Sequence, residues 1–212
     1  MRLFLSSYRA GNYSNRLVEI FGKGVKVAVI TNAKDYKSKE ERKESVDEVI
    51  NFFLELGLKS TEIDLRDYFS KTKNLERELR KYQAVWLAGG NTFILRRALS
   101  YSGADKILSD MARKNEVVLG GESAGACVVG PTLRGVEHGD DPDIAPAGYQ
   151  SEIIWSGLNL VRYSLIPHYG AEAFADESLR MENYLKTSGL PYKTLTDTQA
   201  LLLNGSKEEF LK

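Results

Sequence analysis

Residues 117–129 read Val117-Val118-Leu119-Gly120-Gly121-Glu122-Ser123-Ala124-Gly125-Ala126-Cys127-Val128-Val129. The first four are the apolar run of a buried strand, and the segment from Ala124 onward can start a helix. Between them Ser123 sits at the centre of a G-x-S-x-G turn. So tight a strand-to-helix turn forces its central residue into strained backbone geometry, and the small residues on either side relieve the crowding that follows. The serine oxygen is lifted out of the sheet. Ser123 then stands at a helix N-terminus, where free backbone N–H groups favour developing negative charge. The N–H of Ala124 is a natural oxyanion donor. A plain strand-to-helix turn capped by the serine, or a phosphate cradle, would carry the same residues. No Lys or Arg lies beside this turn, as a P-loop requires.

Working outward, short β-rich apolar runs alternate with segments of helical period, the pattern of an α/β fold with a mostly parallel sheet flanked by helices. Expected strands cover residues 3–7, 25–31, 61–65, 84–88, 117–120, 164–167, 193–195 and 200–203. Most are continuously apolar, as strands buried on both faces are. The longest helix is expected from Ser38, where Ser38-Lys39-Glu40-Glu41 forms a capping box, to Gly57. Its charged flank reads as a solvated face. Further helices are expected over residues 74–82, 92–99, 105–114 and 176–185. Residues 135–157, rich in Gly, Asp and Pro, show no period; a loop of that length in a compact domain is usually functional or mobile.

A second glycine turn, Gly89-Gly90-Asn91-Thr92, follows the run 84–88 and precedes a helix. Loops at the carboxyl ends of neighbouring strands converge on one crevice. Gly90 is therefore expected to supply the second oxyanion N–H, unless the turn only caps a helix through Thr92.

A serine nucleophile needs a base, usually histidine. The chain has two histidines. His168 follows the apolar run 164–167 and is expected to face the crevice. His138 lies in the acidic loop and lacks the spaced partner of a helix-borne zinc site. The expected metal content is none, and no cofactor is implied. For the orienting acid, Asp197 follows a strand, Asp141 is the alternative in the loop, and Glu122 adjoins the serine. Asp197 is the choice. Cys127, one helical turn beyond Ser123, reads as a small core residue.

Three segments together, G-G-N-T-F at 89–93, G-E-S-A-G-A at 121–126 with G-P-T-L at 130–133, and I-P-H-Y at 166–169, resemble the peptidase E (aspartyl dipeptidase) family and its relative cyanophycinase. The likeness runs over roughly residues 80–205. It implies a flavodoxin-like three-layer sandwich related to class I glutamine amidotransferases, with serine in place of their cysteine, Ser123 as nucleophile and His168 as base. The family's acid position maps near Asp141 or near Asp197. Two departures stand out. Glu122 occupies a position where peptidase E commonly has tryptophan. Glu172, Asp176 and Glu177 precede Arg180 where basic residues for an aspartate substrate are expected.

The whole chain narrows the class further. Its 212 residues suit one domain over 1–212. Lys plus Arg equal Asp plus Glu at 29 each, so no bulk charge draws the chain to nucleic acid or an anionic membrane. The lone cysteine fits a reducing compartment. The apolar run at 3–5 is shorter than the roughly 7–15 residues of a signal-peptide core, and no stretch nears the ~18 of a membrane span. The expectation is a cytoplasmic serine peptidase, a dipeptidase or exopeptidase acting on short peptides as monomer or homodimer. An esterase of α/β-hydrolase type, in which Asp141 would orient the histidine, and a non-catalytic amidotransferase-like binding protein are the alternatives.

Overall fold

The computed structural model describes residues 1–70 and 73–212. Its strands are β1 (Arg2–Ser6), β2 (Lys26–Ile30), β3 (Lys59–Glu62), β4 (Ala84–Leu87), β5 (Val118–Glu122), β6 (Ser164–Ile166), β7 (Tyr192–Thr194), β8 (Ala200–Asn204) and β9 (Lys207–Leu211). Its helices are α1 (Ser14–Phe21), α2 (Lys39–Glu55), α3 (Leu75–Leu79), α4 (Thr92–Ser102), α5 (Ala104–Arg113), α6 (Ala124–Cys127) and α7 (Ala175–Thr187).

Seven strands form one sheet in the order β3-β2-β4-β5-β1-β8-β9. The first five run parallel, and β8 and β9 close the edge antiparallel. The continuous apolar runs are explained by burial on both faces. In β1, Leu3 and Leu5 pack with α4, α5 and α6 on one side, while Phe4 joins α1 and α2 on the other. That second layer centres on Trp86, which meets the rings of Phe4, Phe21 and Phe53.

The capping box of α2 forms in both directions: Ser38 Oγ accepts from the Glu41 N–H at 3.2 Å and Glu41 Oε2 accepts from the Ser38 N–H at 3.0 Å. Two elements lie outside the segments expected from the sequence. Helix α1 follows Tyr13, whose side chain makes no cap hydrogen bond, although Leu17, Ile20 and Phe21 recur at helical spacing and the Gly22 N–H closes the helix on the Val18 carbonyl; β9 is the charged edge segment Lys-Glu-Glu-Phe-Leu. The strand expected at 61–65 ends earlier, because the Leu65 N–H donates to Asn32 Oδ1 and the chain enters a 3-10 turn. Strands β6 and β7 lie outside the main sheet and pair parallel in a two-stranded sheet of their own. Among the described residues, no helix is long and apolar enough to cross a membrane.

Candidate active site

The turn after β5 carries the strain its sequence implies. Ser123 has φ 49° and ψ −115°, a conformation that costs a non-glycine residue about 1–3 kcal/mol. The surroundings hold it there. Its N–H donates to the Ser6 carbonyl at the end of β1 (3.1 Å), and its own carbonyl accepts from Ala126 and Cys127 as α6 begins. Gly125 is indispensable at this junction, since a Cβ there would lie 1.9 Å from the Leu87 carbonyl oxygen. A Cβ at Gly121 would lie 2.5 Å from the Gly125 oxygen.

Ser123 Oγ lies 3.0 Å from His168 Nε2, and His168 Nδ1 lies 2.7 Å from Asp197 Oδ1. With the carboxylate accepting from Nδ1–H, Nε2 is left as the acceptor for the serine hydroxyl. The pairing of β6 with β7 makes this meeting. Ile166 stands opposite Thr194, and the bonds Leu195 N–H to Ile166 O and Tyr169 N–H to Leu195 O bring the two strand ends side by side. His168 itself has φ 56°, and its N–H donates to Ser7 Oγ at 2.6 Å. Ser7 Oγ donates in turn to Asp197 Oδ1 at 2.6 Å. The buried Ser7 thus clamps the histidine backbone and the carboxylate together. The ring of Phe174 stacks on the imidazole at 4.4 Å.

Of the three acids weighed from the sequence, Asp197 meets the imidazole. Asp141 does not: its carboxylate accepts from the Asp143 N–H and its carbonyl from Asn91 Nδ2. Glu122 sits next to Ser123 in sequence, yet alternation along β5 sends its buried side chain to the opposite face. There it accepts from the Arg9 N–H at 2.5 Å and from Trp86 Nε1 at 3.4 Å.

Gly90 and Ala124 line the same cleft of 480 Å³ as Ser123 and His168. Gly89 backs the serine directly, a Cβ there falling 3.1 Å from Ser123 Cβ. The aperiodic loop forms one wall, tied down from α4. Arg97, fully buried, donates to the carbonyls of Pro142, Ile144, Ser151 and Glu152 at 2.7–3.0 Å. Tyr149 donates to the buried Asp35 carboxylate. Asp140 Oδ2 accepts from the Thr92 N–H at 2.8 Å, and burial pushes this carboxyl above the ordinary carboxylate range. Cys127 also borders the cleft, and burial drives its thiol pKa far upward, so it stays neutral. Among the described residues, no group of three or more His, Cys, Asp or Glu is placed to hold a metal ion. His138 lies against Tyr184, with ring centres 5.8 Å apart.

The pattern of peptidase family S51 matches residues 7–211. The chain belongs to this family. S51 members are serine-type peptidases, and so is this chain. It is 28% identical over 195 residues to an uncharacterized peptidase of Pasteurella multocida (strain Pm70), covering 92% of this chain and 84% of the relative. An uncharacterized peptidase of Listeria innocua is 30% identical over 131 residues, covering 59% and 60%. Among solved structures, a candidate peptidase E of Listeria monocytogenes EGD-e superposes with a TM-score of 0.78 at 25% identity, covering 100% of this chain and 98% of that one. A peptidase from an acI-B1 actinobacterium shares the fold at a TM-score of 0.62 and 14% identity, covering 100% and 90%.

The resemblance read from the three motifs is thereby borne out, as is the helix-flanked parallel sheet. Sequence reasoning overlooked Ser7, Asp140 and Phe174. Ser7 had one legible signal: it directly follows β1, the neighbour of β5, and so lies beside the turn.

Proposed function

We propose that this S51 peptidase hydrolyses short peptides through an acyl-enzyme on Ser123, with His168 as base and Asp197 as the acid that orients and charge-balances it. The observation that carries this reading is the unbroken chain Ser123 Oγ, His168 Nε2, His168 Nδ1, Asp197 Oδ1, at 3.0 and 2.7 Å. As Oγ attacks the scissile carbonyl, Nε2 takes the hydroxyl proton and Asp197 stabilises the imidazolium. The peptide N–H groups of Gly90 and Ala124 hold the oxyanion, each such donor being worth about 10²–10³ in kcat. The imidazolium then protonates the leaving amine. Water, deprotonated by the same nitrogen, frees the acyl group and restores the serine.

The loop wall around the cleft supports short substrates, in the manner of a dipeptidase or exopeptidase. The esterase alternative would need Asp141 on the imidazole, and that carboxylate is engaged elsewhere. A buried lone thiol and balanced charge support a cytoplasmic enzyme that binds neither nucleic acid nor membrane and works as monomer or homodimer.

The test is Ser123→Ala against a dipeptide library, alongside labelling of the wild type with an active-serine phosphonate. Turnover is expected to vanish and the label to fall on Ser123. Hydrolysis undiminished in the variant would sink the proposal.

A further inference from the structure

Resting on Ser123 as the nucleophile, we infer that the cleft selects peptides whose acyl-side residue carries an uncharged apolar side chain, and rejects aspartyl and glutamyl substrates. The walls are the first reason. Beyond the reacting groups, Val136, Ile144, Pro167, Phe174 and Met181 present carbon to the cavity, and among the described residues no Lys or Arg lines it. Such a surface rewards apolar area and offers a carboxylate no countercharge.

The helix N-terminus at the cleft is the second reason. A bare N-terminus of α4, an eleven-residue helix, would attract an anion. Here its donors are consumed from within. Asp140 takes the Thr92 N–H, and the Asn91 side chain takes the N–H groups of Phe93 and Ile94. A substrate carboxylate would therefore meet no free donor at this end of α4, and it would face the carboxyl groups of Asp140, Asp141 and Glu177, which all line the cavity. The third reason separates apolar from cationic substrates. Of the three carboxylates along the cavity, Asp140 already accepts from the Thr92 N–H and Asp141 from the Asp143 N–H, and Glu177 lies in the first turn of α7, where the helix dipole offsets part of its charge. A lysyl or arginyl side chain gains only what charge is left and must give up its water to enter a pocket walled by carbon.

The test uses the purified full-length enzyme and dipeptides X-Leu, with X = Leu, Met, Phe, Asp, Glu and Arg, scored by Ser123-dependent kcat/KM. Leu, Met or Phe is expected to exceed Asp, Glu and Arg by at least about tenfold, within the 10- to 200-fold range that apolar pockets deliver. Preference for Asp, Glu or Arg overturns the inference while leaving the nucleophile intact. Absence of Ser123-dependent turnover on every substrate, with no phosphonate labelling, overturns the underlying reading and the inference with it. A reversal adds a second arm. Glu177→Lys, checked for a native melting profile, is expected to lower the Leu-to-Asp preference by about fivefold or more, as removing one like charge and adding a countercharge should. Should that variant fail to fold, Glu177→Gln is used, with a smaller drop in the same direction. An unchanged preference in a folded variant overturns the charge argument on which the inference stands.

Discussion

Replacing Arg97 by Met removes the hub of the loop that walls the cleft. Its guanidinium makes four hydrogen bonds, to the carbonyls of Pro142, Ile144, Ser151 and Glu152, and the side chain is wholly buried. Hydrogen bonds to a charged group contribute about 1.5–3 kcal/mol each, so four amount to about 6–12 kcal/mol before relaxation. Residues 142–152 are partly exposed on their outer side, so water can reclaim some of these carbonyls. The expected net loss is about 3–5 kcal/mol, the scale for breaking a buried charged network from one side. Methionine matches the stem as far as Nε, and the space left by Cζ and the two Nη atoms adds a cavity cost that keeps the loss from falling below this range. For a chain of this size that loss corresponds to about 6–20 °C in Tm. Urea unfolding followed by circular dichroism gives the stability, and limited proteolysis reports on the loop. Arg97→Lys should recover part of the loss, since an ammonium carries three donors on a point charge and cannot span four carbonyls as the planar fork does. A stability change under about 1 kcal/mol in Arg97→Met, with the loop still protease-resistant, would refute the reasoning.

Asp197→Asn should lower kcat by several orders of magnitude, up to about 10⁴ as in the serine-protease template, while Asp141→Asn should stay within a few-fold of wild type; the two variants compared on one substrate decide which acid serves His168. Gly125→Ala forces a methyl group to 1.9 Å from the Leu87 oxygen and should abolish soluble expression or cost more than about 3 kcal/mol, read as a fall in Tm. Burial raises the Asp64 carboxyl, but hydrogen bonds from Arg66 and Asn32 outweigh it and hold its pKa below the ordinary value. A depressed folded-state pKa contributes stability above the unfolded value of about 4 that is lost as pH falls through the folded one. Acid titration of unfolding should therefore show a decline below about pH 4 that is shallower in Asp64→Asn.

Local chemistry was legible where one short segment carries its own constraint. The strand-turn-helix at 117–129 could be read because the tight turn around Ser123 admits only glycine at 121 and 125, and the capping box of α2 because its partners are three residues apart. Continuous apolar runs announced strands covered on both faces. Helix α1 escaped because it is eight residues long and has no side-chain N-cap, and strand β9 because it has no apolar run; neighbours already in place stabilise both.

His168 illustrates the limit. Its position after a strand suggested the crevice of the main sheet, and it does face Ser123, but from a separate two-stranded sheet. By itself the sequence determined the α/β class, the strained serine and the two histidines from which a base had to come, since these follow from residue type and spacing along a few bonds. Tertiary structure alone decided that Asp197 and not Asp141 meets the imidazole, that Ser7 clamps both, and that Glu122 turns away from the serine it adjoins. Those outcomes depend on strand register and on contacts such as Ser7 with Asp197, 190 residues apart. No local pattern encodes them, because burial energy from the whole core sets which distant loops arrive at the same point.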